Sequence, residues 1–139
     1  MHRMRVDFPR GLRVRADLGE VEVLTDQPVR RGGEGSAPAP FDLFLASIGT
    51  CAGLYALQFL RRRDMPTEDL RLTLETEEDA ERGMLSKVTI RIALPDGFPD
   101  KYRGALVRAV ELCSVKRQIL EPPRFETVVE TPKSQPAAD

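Results

Sequence analysis

The chain has 139 residues, with 21 basic and 22 acidic side chains, one histidine and two cysteines. That length suits one domain with one core, and the balanced charge disfavours nucleic acid or an anionic membrane as a partner.

The N-terminal stretch "MHRMRVDFPRGLRVRADLG" is charged and alternating. It lacks the apolar block of a secretory signal, so a cytoplasmic protein with reduced cysteines is expected. Three short strands are predicted at Arg3 to Phe8, Leu12 to Ala16 and Glu20 to Leu24, with turns at "PRG" and "DLG". Val21 and Val23 alternate with Glu20 and Glu22, as in a half-buried strand. "DQPVRRGGEGSAPAP" then reads as a loop, because paired glycines and prolines interrupt regular structure.

From Phe41 to Leu60 the sequence is almost unbroken in its apolar character, about the length a membrane-spanning helix needs. Asp42, Ser47, Thr50 and Gln58 lie within it and Gly49 and Gly53 thin it, so a soluble central helix is the better reading and no membrane partner is expected. A helix apolar on nearly every side must be covered on nearly every side. One small domain lacks the material for that, which predicts a homodimer.

After the helix, Leu70, Leu72 and Leu74 share one strand face, as do Val88, Ile90, Ile92 and Leu94, giving a hairpin around "EEDAERGM". A helix is predicted from about Asp100, with Leu106, Val110 and Cys113 on one side. "EPP" ends it, "RFETVVE" reads as a last strand, and residues 132–139 as a disordered tail. The whole is an α+β fold with antiparallel sheet and a single domain over residues 1–131.

The inventory of reactive groups is short. His2 sits at the chain end, which disfavours a Ser-His-Asp or Cys-His site. Two widely separated cysteines without a useful histidine do not make a zinc site. "RRGGEG" is not followed by the lysine and hydroxyl of a phosphate loop. No metal and no cofactor are therefore expected.

The thiols remain. By spacing alone, Cys51 and Cys113 read as small core hydrophobes. Cys51 lies well inside its helix, away from the dipole that lowers a thiol's pKa at an N-terminus. Its ionisation would need another positive charge, and Arg10, Arg13, Arg15, Arg30 and Arg31 are the available ones. Most of these read equally well as solvated surface residues.

"APAPFDLFLASIGTC" followed later by "AVELCSVKRQIL" resembles the OsmC/Ohr family, the osmotically inducible and organic-hydroperoxide-resistance proteins. Order, spacing and strand pattern agree over nearly the whole chain. The resemblance implies an intertwined homodimer, with antiparallel sheets around a long buried central helix and active sites at the subunit interface. It implies a thiol-dependent peroxidase, in which Cys51 attacks an organic hydroperoxide and becomes a sulfenic acid. Cys113 then closes a disulfide with Cys51, and an external thiol or dithiol reduces it. It further implies an arginine that stabilises the thiolate and polarises the peroxide; Arg10 is the best match and Arg13 the next.

One departure stands out. Family peroxidases carry a glutamate directly after the loop proline, where it holds the arginine, whereas here Phe41 follows Pro40. Asp42 is rotated by about 100° around the helix and suits the helix N-terminus better than the catalytic task. Phe41, Phe44 and Leu45 at the helix start are candidate substrate contacts, and equally candidate core residues. Alkyl groups would bury area there, worth about 25 cal/mol per Å², so alkyl or fatty-acid hydroperoxides are expected over hydrogen peroxide. The lost glutamate keeps a second reading open: a noncatalytic apolar-ligand-binding or redox-sensing dimer of the same fold.

Overall fold

A computed structural model describes residues 3–130. His2 and the 132–139 tail lie outside the described residues.

The chain begins with a three-stranded antiparallel sheet, β1 (Arg5–Asp7), β2 (Val14–Asp17) and β3 (Glu22–Thr25), in the order β1-β2-β3. β2 is central, with Val6 opposite Ala16 and Ala16 opposite Val23. The strands are shorter than their sequence patterns suggest because turns consume their ends. Asp17 Oδ1 accepts the Gly19 N–H at 2.8 Å, and the Arg13 N–H reaches the Arg10 carbonyl at 3.0 Å. The apolar side chains Val6, Leu12 and Val21 remain exposed, and none joins the main core cluster.

The glycine loop folds around Asp26, which is 1 % exposed. Its carboxylate accepts from the Ser36 hydroxyl at 2.7 Å, the Ser36 N–H at 3.0 Å, the Gln27 N–H at 2.8 Å and the Glu34 N–H at 3.3 Å. Led by the Ser36 hydroxyl, these bonds outweigh desolvation and lower its pKa to about 2. Gly33 is required here by space, since a Cβ would stand 1.9 Å from the Gln27 carbonyl oxygen. "RRGGEG" thus carries a glycine because its backbone crosses another closely.

Helix α1 (Pro40–Arg61) follows. Proline suits its first position, where the missing N–H costs no helical bond. Asp42 Oδ2 accepts the Ala39 N–H at 3.0 Å, the capping geometry of an acidic residue in the first turn. The helix has the length and apolarity of a bilayer span, yet Ile48, Ala52, Ala56, Phe59 and Leu60 carry a buried stripe down one side. Phe41, Phe44 and Leu54 stay exposed. The expectation of burial on nearly every side is therefore not met within one protomer, where no element among the described residues covers the exposed face. After the helix, Asp64 turns the chain at φ 52° and the Met65 N–H caps the Leu60 carbonyl at 3.1 Å. Arg63 lies over the Phe59 ring at 3.7 Å and the Tyr102 ring at 5.4 Å, so one of the helix-end arginines closes the core's rim.

The hairpin β4 (Arg71–Asp79) and β5 (Met84–Ala93) forms a separate two-stranded antiparallel sheet. Leu72 faces Ile92 and Leu74 faces Ile90, which places the predicted apolar rows on one face. Leu70, Leu72, Ile90 and Ile92 pack on Ala52, Ala56, Phe59, Leu60, Leu106 and Val110. The strands run further than expected into "EEDAERGM", leaving a short turn with Gly83 at φ 61°.

A 3₁₀ turn at Asp100–Tyr102 leads into α2 (Arg103–Glu111), and α3 (Ser114–Leu120) follows. Two expectations are corrected here. Cys113 does not continue the face of the preceding helix: α2 stops at Glu111, and Cys113 caps α3 by accepting the Lys116 N–H at 3.4 Å. "RFETVVE" is not a strand in the protomer; residues 122–130 have no regular structure, and Phe125, Val128 and Val129 are exposed. A strand needs a neighbour's backbone to bond to, and no described strand pairs with this segment.

Candidate thiol site

The α2–α3 break is what brings the cysteines together. α1 packs against α2 and α3. Cys51 sits beside Ala52 at the margin of the buried stripe and is half-buried, while Cys113 is 1 % exposed. Both are free thiols, close enough that each moves the other's acidity.

Their shifts have opposite signs. Burial is the largest influence on Cys51 and opposes its ionisation. Hydrogen bonding from the Cys113 thiol, the Val115 N–H, and the Ser114 hydroxyl and N–H together outweighs burial and brings Cys51 below the ordinary thiol range. Burial also leads for Cys113, and the Cys51 thiol adds to it, so Cys113 is pushed up. The arrangement yields one sulfur disposed to be a thiolate and one disposed to keep its proton.

Ser114 was not singled out from sequence. Its Oγ lies 3.7 Å from Cys51 Sγ, and the only sequence signal was a hydroxyl residue directly after a cysteine where a helix starts. No arginine ranks among the leading causes of the Cys51 shift. Arg10 and Arg13 instead meet at Glu34: Arg10 Nη2 reaches its carboxylate at 3.2 Å, and Arg13 Nη2 pairs with it closely. Arg13 Nε also donates to Ser36 Oγ at 2.9 Å, linking this cluster to Asp26. Arg13 is the more firmly held, with its side chain 26 % exposed against 71 % for Arg10. Sequence reading missed Glu34, which lies in the glycine loop, not at the helix start.

Phe41 and Phe44 stack at 5.6 Å between ring centroids and remain exposed. Leu45 lines a shallow recess with Gly49, Thr50, Leu72 and Leu74. A second, largely apolar cleft of about 290 Å³ is lined by Ile48, Ile90, Val107, Val110, Lys116 and Ile119 among others. It adjoins the thiols through Ile48, one helical turn before Cys51, and through Lys116, whose N–H bonds Cys113. Among the described residues no group of three or more His, Cys, Asp or Glu side chains is arranged to hold a metal ion.

Comparison with known proteins agrees with this architecture. Among curated proteins none matches the chain. Several solved structures share the fold. A putative osmotic stress induced and detoxification response protein from Psychrobacter arcticus 273-4 is 23% identical, with a TM-score of 0.71 over 85% of this chain and 88% of that one. An organic hydroperoxide resistance protein OsmC from Legionella pneumophila is 22% identical, with a TM-score of 0.54 over 86% of this chain and 88% of that one. The organic hydroperoxide resistance protein OhrB of Bacillus subtilis is 16% identical, with a TM-score of 0.50 over 85% and 90%. The family model for OsmC-like protein matches residues 33–128, a span that holds the end of the glycine loop, α1, the hairpin and both cysteines, and the chain therefore belongs to the OsmC/Ohr family.

Proposed function

We propose that this protein is a thiol-dependent peroxidase that reduces organic hydroperoxides, alkyl or fatty-acid, to alcohols. The observation that carries the reading is the α2–α3 break, which sets Cys113 and Ser114 against Cys51 and leaves two free thiols whose acidities shift in opposite directions.

The Cys51 thiolate attacks the terminal oxygen of the hydroperoxide. The S–O bond forms as the O–O bond breaks, and the departing alkoxide takes a proton to leave as alcohol, with Cys51 now a sulfenic acid. Cys113, protonated at rest, gives up its proton as its sulfur attacks the Cys51 sulfur, and water leaves as the disulfide forms. An external thiol or dithiol supplies two electrons and two protons to restore the pair. The apolar cleft beside Ile48 suits an alkyl group, as do Phe41, Phe44 and Leu45 at the start of α1.

The working unit is a homodimer in a reducing, cytoplasmic setting. The exposed flank of α1 and the exposed apolar residues of the N-terminal sheet support the dimer. In the dimer Arg10 or Arg13, held by Glu34, reaches the thiol of the partner chain and adds a positive charge to those α3 donors.

Mixing reduced protein with stoichiometric cumene hydroperoxide and counting free thiols tests the reading. Rapid loss of both thiols per chain, abolished in Cys51→Ser, is expected. Unchanged thiols would overturn the peroxidase and leave an apolar-ligand-binding or redox-sensing dimer as the alternative.

A further inference from the structure

We propose that Ser114 is a catalytic residue of the thiol site, its hydroxyl donating to the Cys51 sulfur and selecting Cys51 over Cys113 as the thiolate. The inference rests on the reading of Cys51 as the nucleophile, but concerns its ionisation and not its substrate.

The geometry is specific. Cys113 caps α3 by accepting the Lys116 N–H at its sulfur, a bond that by itself favours the Cys113 thiolate but is outweighed by burial and by the Cys51 sulfur. Ser114 is the next residue, and its Oγ stands 3.7 Å from Cys51 Sγ across the α1–α3 contact. A serine hydroxyl can accept from a neutral thiol or donate to a thiolate. Only the second is a charge-assisted bond, so the contact favours the ionised sulfur. Ser114 is itself exposed, and its hydroxyl therefore rotates freely to follow the charge.

The surroundings leave this role to a neutral donor. α1 is packed by α2, α3 and β4. Lys116 of α3 is ion-paired with Glu111 of α2, Arg103 of α2 with Asp100, and Glu75 of β4 with Arg91 of β5, and neither Arg108 of α2 nor Arg117 of α3 is among the leading influences on Cys51. Cys113 is the titratable neighbour that bonds with Cys51. The leading influences that favour the Cys51 thiolate thus come from Cys113, Ser114 and Val115 at one helix start, and Ser114 is the one whose side chain can be removed without disturbing the second thiol. Ser114→Ala keeps the backbone N–H and deletes the hydroxyl alone.

The test is the pH dependence of iodoacetamide alkylation of the reduced full chain, resolved for each cysteine by peptide mass spectrometry. In Ser114→Ala the Cys51 midpoint is expected to rise by about half to one pH unit, and the preference for Cys51 over Cys113 near neutrality to fall several-fold. Ser114→Thr restores both, and Ser114→Gly, a second hydroxyl-free variant, behaves like Ser114→Ala. A Cys51 profile in Ser114→Ala and Ser114→Gly that superimposes on wild type, or a Ser114→Thr profile that matches Ser114→Ala, overturns the proposal. Because alkylation consumes no peroxide, a shifted midpoint in a protein inert to cumene hydroperoxide would sink the peroxidase and leave the role of Ser114 standing.

Discussion

Residues 5–38 are held together by charges and hydrogen bonds, residues 40–120 by apolar packing. In the first region Asp26 is the buried hub, Glu34 gathers two arginines, and no apolar side chain of the sheet is fully buried, Val6 and Leu24 staying exposed. In the second, a stripe of α1 meets α2 and the β4–β5 hairpin, with Ala52, Ala56 and Leu60 wholly enclosed. The two arginines gathered at Glu34 lie in the polar region and both thiols in the apolar one. Within one protomer the groups that favour the Cys51 thiolate are Cys113 and the amides and hydroxyl at the start of α3, with no arginine among the leading influences, while Arg10 and Arg13 are engaged at Glu34.

The largest expected effect tests the apolar region. Leu60 is fully enclosed, and Leu60→Ala leaves a cavity that should cost about 2–5 kcal/mol in urea-induced unfolding. A loss under about 1 kcal/mol would mean that α1 is not seated as described.

The second effect bears on how the two regions communicate. If Arg13 or Arg10 acts on the partner's thiol, the double variant Arg10→Ala/Arg13→Ala should oxidise about tenfold more slowly, one pKa unit of lost thiolate stabilisation. Co-refolding that variant with Cys51→Ser in equal amounts should recover roughly a quarter of the wild-type sites, since half the dimers are mixed and each mixed dimer has one complete site. No recovery in mixed dimers would place the arginines in their own chain's site.

How much of this was legible in the sequence follows the same division. The apolar region was readable because its information is periodic: the α1 segment, the paired rows Leu72–Leu74 and Ile90–Ile92, and the helix through Leu106 and Val110 all show in one dimension. The cysteine pair was legible through resemblance. The break before Cys113 was not, because no proline or glycine marks it, and with it went Ser114. The Asp26–Ser36–Arg13–Glu34 network has no period at all. It joins a strand, a turn and a loop by hydrogen bonds whose partners only folding reveals. "RFETVVE" failed for the opposite reason: its pattern is that of a strand, but pattern does not supply the neighbouring strand it needs.

The third effect probes the hub of the polar region. Asp26 has a folded pKa of about 2, below the unfolded value of about 3.9. A carboxylate depressed in this way stabilises the fold fully above its unfolded pKa, and that contribution drains away as pH falls through about 4 toward 2. Asp26→Asn should therefore lower Tm by roughly 5 °C at neutral pH and converge on wild type near pH 2. A constant difference across that range would mean that the amide's altered packing, and not the lost charge, is responsible.

The smallest effect is the most informative about the missing helix-start glutamate. Glu34 and its two arginines are partly solvated, so Glu34→Gln should change stability by only about 0.2–1 kcal/mol. If Glu34 does from the loop what the family's glutamate does from the helix start, this nearly silent change in stability should be accompanied by a slower oxidation of Cys51, because the arginines lose the carboxylate that orients them. Arg13 retains Ser36 Oγ, so the slowing should be smaller than in Arg10→Ala/Arg13→Ala. Oxidation at the wild-type rate in Glu34→Gln would separate the two regions altogether: the arginine cluster would then be a clasp for the glycine loop, and activation of Cys51 would belong to α3.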